Sequence, residues 1–280
     1  MLVHPDTRAP LARLRARHTG AARAGDDVVF VVDGVPILVP DPATWCARHR
    51  DSVIAATATM GGDVAAVVTA LDAVIGDTRQ PQVAFLDDFT PEEARDAPPP
   101  PLVDAALQDL LDDATTPLTF LAKHVPQAGV IVELGPGAGG LSSLLGPRAR
   151  KKLVVMDLSL RSVLLARRAG GPRTVGVVAD ACALPVADGA ADVIVAENVI
   201  DVVDDANAML AGIHRALRRG GTLALTTPGP ELDGGDDVDA RIRTAGFTID
   251  TVVDGLRWPR VHGRRHVELW TCRGLIARRR

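Results

Sequence analysis

The residues with the clearest chemical content lie in the run Val130-Ile131-Val132-Glu133-Leu134-Gly135-Pro136-Gly137-Ala138-Gly139-Gly140-Leu141. It reads as an apolar strand ending on a carboxylate, then a loop with glycine at alternate positions, then a helix. Glycines so spaced reach backbone angles closed to other residues and let a ligand approach the main chain. The helix start beyond them offers N–H groups with no partner inside the helix. A second carboxylate, Asp157, ends the run Leu153-Val154-Val155-Met156-Asp157, 157 − 139 = 18 residues beyond Gly139. A carboxylate at the end of a second strand can accept both hydroxyls of a ribose, as in nucleotide-binding doubly wound folds. A glycine loop of this kind by itself serves several ligands, dinucleotides among them.

Two further elements narrow the choice. Val178-Ala179-Asp180-Ala181-Cys182-Ala183-Leu184-Pro185 follows a third apolar run, and a fourth ends in Ala196-Glu197-Asn198. The order continues through Val199-Ile200-Asp201 to Asp205, and then through Ile213-His214-Arg215-Ala216-Leu217-Arg218-Arg219-Gly220-Gly221. Taken in sequence, these motifs resemble the class I S-adenosylmethionine-dependent methyltransferases, in particular small-molecule enzymes of the ubiquinone/menaquinone-methyltransferase type. The resemblance spans about 129–227 and extends toward 273. It implies an α/β fold, a Rossmann-like seven-stranded and mostly parallel sheet with an antiparallel last strand. It implies S-adenosylmethionine as cofactor and no metal. Glu133 would hold the methionine ammonium, and the backbone of Gly135, Pro136 and Gly137 would pass against the methionine and ribose. Asp157 would take the ribose hydroxyls, and Leu158 would pack on adenine. Asp180 would accept from the adenine amine, and the Ala181 N–H would donate to a ring nitrogen. Glu197 and Asn198 would face the place where the acceptor meets the sulfonium methyl.

The segment Glu197-Asn198-Val199-Ile200 lacks the Asn/Asp-Pro-Pro-aromatic motif of amide-nitrogen and adenine methyltransferases, which disfavours those acceptors. Cys182 matches no nucleophile position of the family. A sulfonium methyl is already activated, so the protein has chiefly to place the acceptor in line and exclude water. A base is needed only for an acceptor protonated at working pH. His214 reads as a surface residue of a helix, while His262 and His266 flank a hairpin expected over 257–273. No catalytic residue is assigned.

Several elements must position these groups. Strands are expected at 130–132, 153–156, 174–178, 193–196 and 222–226, apolar throughout as in a parallel sheet covered on both faces. Helices are expected over 141–145, 160–168 and 205–217. Ahead of them, 28–32 and 35–39 flank Asp33-Gly34, a two-residue hairpin signal. Pro40 and Pro42 end the second strand, a helix begins near Ala43, and Asp63 caps another that ends at Gly76. Residues 1–86 thus read as a small α+β lobe, 87–101 as an acidic linker ending in four prolines, and 102–280 as the methyltransferase domain. After the linker Val103, Leu107, Leu110 and Leu111 recur at helical spacing, and a second short helix carries Leu118, Leu121 and Val125 on its face. The hairpin also resembles a zinc-ribbon-like activator module, but its cysteine ligands are missing. Cys46 and His49 have no second pair to complete a zinc site.

Lys plus Arg number 31 against 35 Asp plus Glu, a formal net charge of −4. That balance disfavours nucleic acid as a partner and points to a small-molecule or peptide acceptor, although the arginine-rich stretch 257–280 leaves an anionic one open. Three scattered cysteines give no disulfide framework. There is neither a signal-peptide core nor an apolar run long enough to span a bilayer, so no membrane and a cytoplasmic setting are expected. Two other classes compete with this reading. A nicotinamide-dependent oxidoreductase is disfavoured by Asp180-Ala181 and Gly220-Gly221. A non-catalytic cofactor-binding module is disfavoured by the joint presence of Glu133 and Asp157.

Asp157→Ala is expected to weaken adenosylhomocysteine binding more than Asp180→Ala does. Two charge-assisted hydrogen bonds set a ceiling of about 3–6 kcal/mol for the first, against roughly half for the second. Titrating both variants checks this, and wild-type affinity in Asp157→Ala would sink the ribose assignment.

Overall fold

Apolar runs that expose neither face to water have to be covered by helices on both sides, and that requirement organises this chain. The computed structural model describes residues 1–11, 19–24, 27–81, 115–228, 237–263 and 266–280. The expected proline linker at 87–101 and the start of the helical pattern after it lie outside these residues.

Ten described strands form one sheet. In chain order they are β1 (Gly20–Ala24), β2 (Asp27–Val32), β3 (Val35–Leu38), β4 (Ala128–Leu134) and β5 (Ala149–Asp157). There follow β6 (Thr174–Ala179), β7 (Ala191–Glu197), β8 (Leu217–Thr227), β9 (Phe247–Gly263) and β10 (His266–Arg279). Their spatial order is β1-β2-β3-β6-β5-β4-β7-β8-β10-β9. The central run from β3 to β8 is parallel throughout, and the flanking pairs are antiparallel.

Helices cover the two faces. One face carries α1 (Pro42–Arg48), α2 (Arg50–Thr59), α3 (Val64–Ile75), α4 (Pro117–His124), α5 (Gly140–Leu145) and α6 (Leu160–Ala169). Trp45, Val53, Leu71, Phe120, Leu141 and Val163 pack from them onto Ile131, Val155 and Val195 of the sheet. The other face carries α7 (Ala206–Ala216) and α8 (Val238–Thr244), with Met209, Leu210, Ile213 and Ile242 packed onto Val132, Ile194 and Leu223. The alternation of strand residues between these two layers follows from the two-residue period of the strand. Local caps fix the helix starts: the side chains of Asp41, Asp63, Thr116, Ser159 and Asp205 each accept a backbone N–H of the first turn.

The sheet departs from expectation at both ends. It has ten strands where the resemblance implies seven, because the N-terminal hairpin does not stand apart as a lobe. Every residue of β3 is buried, and its Ile37 and Leu38 pair in parallel with Val178 and Ala179 of β6. A strand apolar on both faces cannot remain at a solvent edge, so β3 becomes an internal member, and α2 packs on α6 beside it. At the other end the antiparallel pair is longer than the stretch 257–273, with register running from Phe247↔Arg279 to Gly263↔His266. Strand β1 and helix α2 add to the expected elements. The core residues of α2 are Val53, Ala56 and Thr57, too small and mixed to leave an apolar stripe in the sequence.

Ile37, 1 % exposed, tests this continuity. Ile37→Ala is expected to lower the stability of the whole chain by about 2–5 kcal/mol in a single cooperative denaturant transition. A separate early transition moving alone would show that the hairpin folds by itself.

Candidate active site

The chain order runs outward from β4 through β5 to β6, then returns to β7 and β8 on the other side. That reversal opens a crevice at the carboxyl ends of β4 and β7, the place where doubly wound sheets hold ligands. Glu133, Asp157, Asp180 and Glu197 stand at or just past the ends of β4, β5, β6 and β7, four adjacent strands. The fold therefore brings the sequence-selected carboxylates to one rim.

Between β4 and α5 the loop divides three tasks among its glycines, all at positive φ. Gly135 donates its N–H to the Met156 carbonyl at 2.9 Å, and a Cβ there would lie 2.4 Å from Val199 Cγ2. Gly139 donates to the Pro136 carbonyl at 2.9 Å, and a Cβ there would lie 2.9 Å from Ala166 Cα on α6. Gly137 meets nothing within 4 Å and faces open space. The outer two permit close packing, while the middle one leaves room above the main chain.

Glu133 lies beneath this loop and is 1 % exposed. The Ser142 hydroxyl of α5 donates to its Oε2 at 2.6 Å, while Oε1 is buried without a hydrogen-bond partner among the described residues. Burial pushes its pKa up to about 8; the Ser142 bond opposes this, and the nearby Glu197 and Asp157 charges add to it. Asp157 accepts the Ser159 N–H at 2.8 Å. Burial raises it to about 6 against the lowering effect of backbone N–H groups of Ser159, Gly137 and Leu158. It therefore ties the glycine loop to β5 as well as facing the crevice. Asp180 accepts the Cys182 N–H at 2.8 Å and so shapes the short 3₁₀ turn Ala181–Ala183. Leu158 sits in a small cleft between α1, α2 and the start of α6, beside Trp45, His49 and Val53.

Glu197 is raised to about 7 by burial alone. Asn198 is a non-glycine residue at φ 52°. Thr226 of β8 holds it there: the Asn198 N–H donates to the Thr226 carbonyl at 3.0 Å, and the Thr226 hydroxyl donates to Asn198 Oδ1 at 2.9 Å. Asn198 Nδ2 and Thr227 Oγ1 are left buried without hydrogen-bond partners among the described residues. Sequence reasoning misses Ser142, Thr226 and Thr227. The polar doublet at the end of an otherwise apolar strand is the available signal for the threonines.

Other candidates have packing or hydrogen-bond partners of their own. His214 stacks edge-on against Phe247 at 5.3 Å, and desolvation and Arg279 lower its pKa, at the opposite end of β8. The Cys182 thiol, pushed up to about 11 by burial, donates to the Asp205 carbonyl. Cys46 is buried and pushed up to about 12. The described residues hold no group of three or more metal-ligating side chains. None of the described helices is long and apolar enough to cross a membrane.

A family model described as a methyltransferase domain matches residues 132–225. Over this stretch the chain is similar to a methyltransferase domain. The chain is 30 % identical over 118 residues to a malonyl-(acyl-carrier protein) O-methyltransferase of Xylella fastidiosa, covering 41 % of this chain and 39 % of that protein. It is 30 % identical over 131 residues to a dimethylglycine N-methyltransferase of Parasynechococcus marenigrum, covering 45 % and 46 %. The chain thus spans less than half the length of either curated relative. A solved S-adenosylmethionine-dependent methyltransferase of Mesorhizobium loti aligns with a TM-score of 0.48 at 18 % identity, over 60 % of this chain and 100 % of that one. The matched methyltransferase segment contains the glycine loop and all four rim carboxylates. It excludes the N-terminal hairpin and the β9–β10 pair.

The raised acids of the methyltransferase domain make its behaviour pH-dependent. Glu133, Asp157 and Glu197 hold protons in the folded state above the ordinary 4.5 and 3.8 at which the unfolded chain releases them. Stability of the ligand-free protein is therefore expected to fall as pH rises from about 4 to about 8. Were S-adenosylmethionine to bind at this rim, its affinity would rise between about pH 6 and about 8 as the carboxylates ionise. Ser142→Ala removes the one donor on Glu133 and should move that affinity profile upward, on the order of one pH unit. Melting temperature and calorimetric affinity against pH check both, and a flat affinity profile would count against ionised Glu133 as the cofactor's partner.

Proposed function

We propose that this chain transfers a methyl group from S-adenosylmethionine to a small-molecule or peptide acceptor. The observation that carries the proposal is the joint arrangement at the β4 end: a buried carboxylate with one oxygen unpaired, under a loop whose middle glycine faces open space. An orphaned buried acceptor calls for a donor from outside the chain, and the ammonium of a methionine moiety is such a donor.

On this reading Glu133 receives the ammonium, and the backbone of Gly135, Pro136 and Gly137 borders the methionine and ribose. Asp157 receives the ribose hydroxyls with the carboxylate capacity its backbone donors leave, and Leu158 lies against adenine. Asp180 and the Ala181 N–H take the adenine edge, and Glu197 and Asn198 face the methyl. When bound, the cofactor supplies a methyl already activated on a sulfonium. The protein's own task is to hold the acceptor in line with it and exclude water. Residues 102–280 carry this chemistry, and α1 and α2 wall the adenine side from within residues 1–86.

Adenosylhomocysteine is expected to bind saturably in calorimetry, with an affinity that a chelator leaves unchanged, whereas NAD should give no saturation. Incubation with methyl-labelled cofactor and fractionated extract, followed by mass spectrometry, should then reveal a product heavier by the labelled methyl. Absence of saturation at millimolar adenosylhomocysteine would overturn the assignment.

A further inference from the structure

Glu197 and Thr226 are direct neighbours across the β7–β8 pair, as are Val195 and Ala224 two residues earlier. Val195 and Ala224 belong to the core layer under α4–α6. Strand alternation therefore puts the side chains of Glu197 and Thr226 on that same face. Glu133 shares it, because it pairs with Val195 on the adjoining strand. Two carboxylates and a hydroxyl thus stand on one face of three adjacent strands at the carboxyl rim.

The turn after β7 folds the Asn198 amide into this row. The Asn198 N–H reaches both the Thr226 carbonyl at 3.0 Å and the Thr226 hydroxyl oxygen at 3.2 Å. That oxygen already accepts, so its own hydrogen is left to donate to Asn198 Oδ1 at 2.9 Å. The amide is oriented by this exchange, with Oδ1 on Thr226 and Nδ2 turned away from it. Nδ2 is buried and has no hydrogen-bond partner among the described residues. At φ 52° the backbone holds a left-handed conformation that asparagine tolerates better than most residues. The next residue, Val199, lies over the glycine loop, since a Cβ on Gly135 would come 2.4 Å from Val199 Cγ2. Wedged between that loop and β8, the turn makes Nδ2 a fixed donor beside Glu197. Beyond Thr226 stands Gly274 of β10, where a Cβ would lie 2.6 Å from Phe120 Cε1. The Phe120 ring fills that space and closes the row against water.

A hydroxyl oxygen meets both groups at once. It donates its hydrogen to Glu197, accepts Nδ2–H with one lone pair and keeps another to attack a methyl. A neutral amine has one lone pair, which Nδ2–H would occupy, and sulfur accepts only weakly. Charge and acidity narrow the class further. Burial raises Glu197 to about 7, and its charge acts on Glu133 and, together with that of Asp201, on Cys272. Arg257 and Arg273 alternate to the opposite face from Leu256 and Cys272, and Arg273 is engaged there by Asp239 and Asp254. Arg260 is four residues beyond Leu256, about 13 Å along the strand. An ionised carboxylate acceptor would therefore bring another negative charge to an acidic row. A phenol, with a pKa of about 10, can pass its proton to a buried carboxylate, whereas an alkyl alcohol, near the roughly 16 of water, holds it too tightly.

We propose that the methyl acceptor is an acidic hydroxyl, of phenol or enol type, with its oxygen between the Asn198 amide hydrogen and the Glu197 carboxylate. This rests on the methyltransferase reading above. Nδ2–H orients the oxygen, and Glu197 takes its proton as the O–C bond forms and the methyl–sulfur bond breaks. The sulfur keeps that bond's electron pair, so the products are a methyl ether and a neutral thioether.

The test uses the full chain saturated with adenosylhomocysteine, with 4-methylphenol and 4-methylaniline as probes in NMR titrations. The phenol is expected to bind at least about tenfold more tightly. Asn198→Gly, which keeps the positive φ and removes the amide, should lower phenol affinity about tenfold. Glu197→Gln still accepts from the hydroxyl but takes no proton, so kcat with phenols should fall about hundredfold or more while phenol affinity stays within about threefold. With methyl-labelled cofactor, matched phenols, enols, anilines, benzylamines and benzoates should yield label in methyl ethers. If adenosylhomocysteine binds but the phenol is bound no better than the aniline, the hydroxyl proposal fails alone. Label in amines or benzoates, or in none of the hydroxyl compounds, also overturns it. So does an Asn198→Gly variant that loses adenosylhomocysteine affinity and keeps that for the phenol, since the amide then serves the cofactor. Failure of the unmodified chain to bind adenosylhomocysteine would remove both readings together.

Discussion

Glu133 is a carboxylate set in the interior of a parallel sheet, where an isolated charge is costly and a half-satisfied one only slightly less so. Its surroundings are organised around that cost. Ser142 comes from the first turn of α5, which can approach only because Gly139 lets α5 and α6 close on each other. Asp157, one strand over, draws the backbone of the glycine loop toward β5. The outcome is a rim with fixed main-chain geometry and a carboxylate oxygen left for something outside the chain. A rim built this way is pre-organised: its reorganisation is completed on folding and need not be supplied when a ligand arrives.

The two ends of the chain frame this rim from opposite sides. Through β3, the N-terminal hairpin extends the parallel sheet beyond β6, and α1 and α2 follow to wall the cleft at Leu158. On the far side β9 and β10 outrun β8 and carry Trp258 and Trp270, paired across the two strands, beyond its carboxyl end. Both lie outside the matched segment 132–225. The four rim carboxylates therefore sit in the middle of the sheet, and the elements beside them come from the flanks.

Electrostatics at the C-terminal end illustrates how folding redistributes charge. The sequence between 257 and 280 looks like a basic patch. In the structure Arg273 is shared among Asp237, Asp239 and Asp254, and Arg278 pairs with Asp250. Arg279 donates to the carbonyls of Arg215 and Leu217. These three guanidinium groups stitch the last strand to its neighbours.

Local periodicity and turn chemistry make much of this protein legible from its residues alone. The five apolar runs are strands, Asp63 and Gly76 do bound a helix, Asp33-Gly34 does turn a hairpin, and the four acidic residues do end adjacent strands, because each of these depends on a few neighbouring residues. What local patterns could not settle is long-range. Whether β3 stands apart or joins β6 depends on residues far along the chain, Ile37 against Val178. The locking of Asn198 by Thr226 likewise joins segments that no local window contains. Helix α2 is invisible to periodicity because small residues carry no apolar stripe, and only the packed face of α6 shows what they are for. Sequence alone determined which carboxylates and glycines form the rim, since they are written in short local motifs. What borders the rim was decided by tertiary structure, since β3 and β10 come from opposite ends of the chain and join the central strands only when the sheet closes.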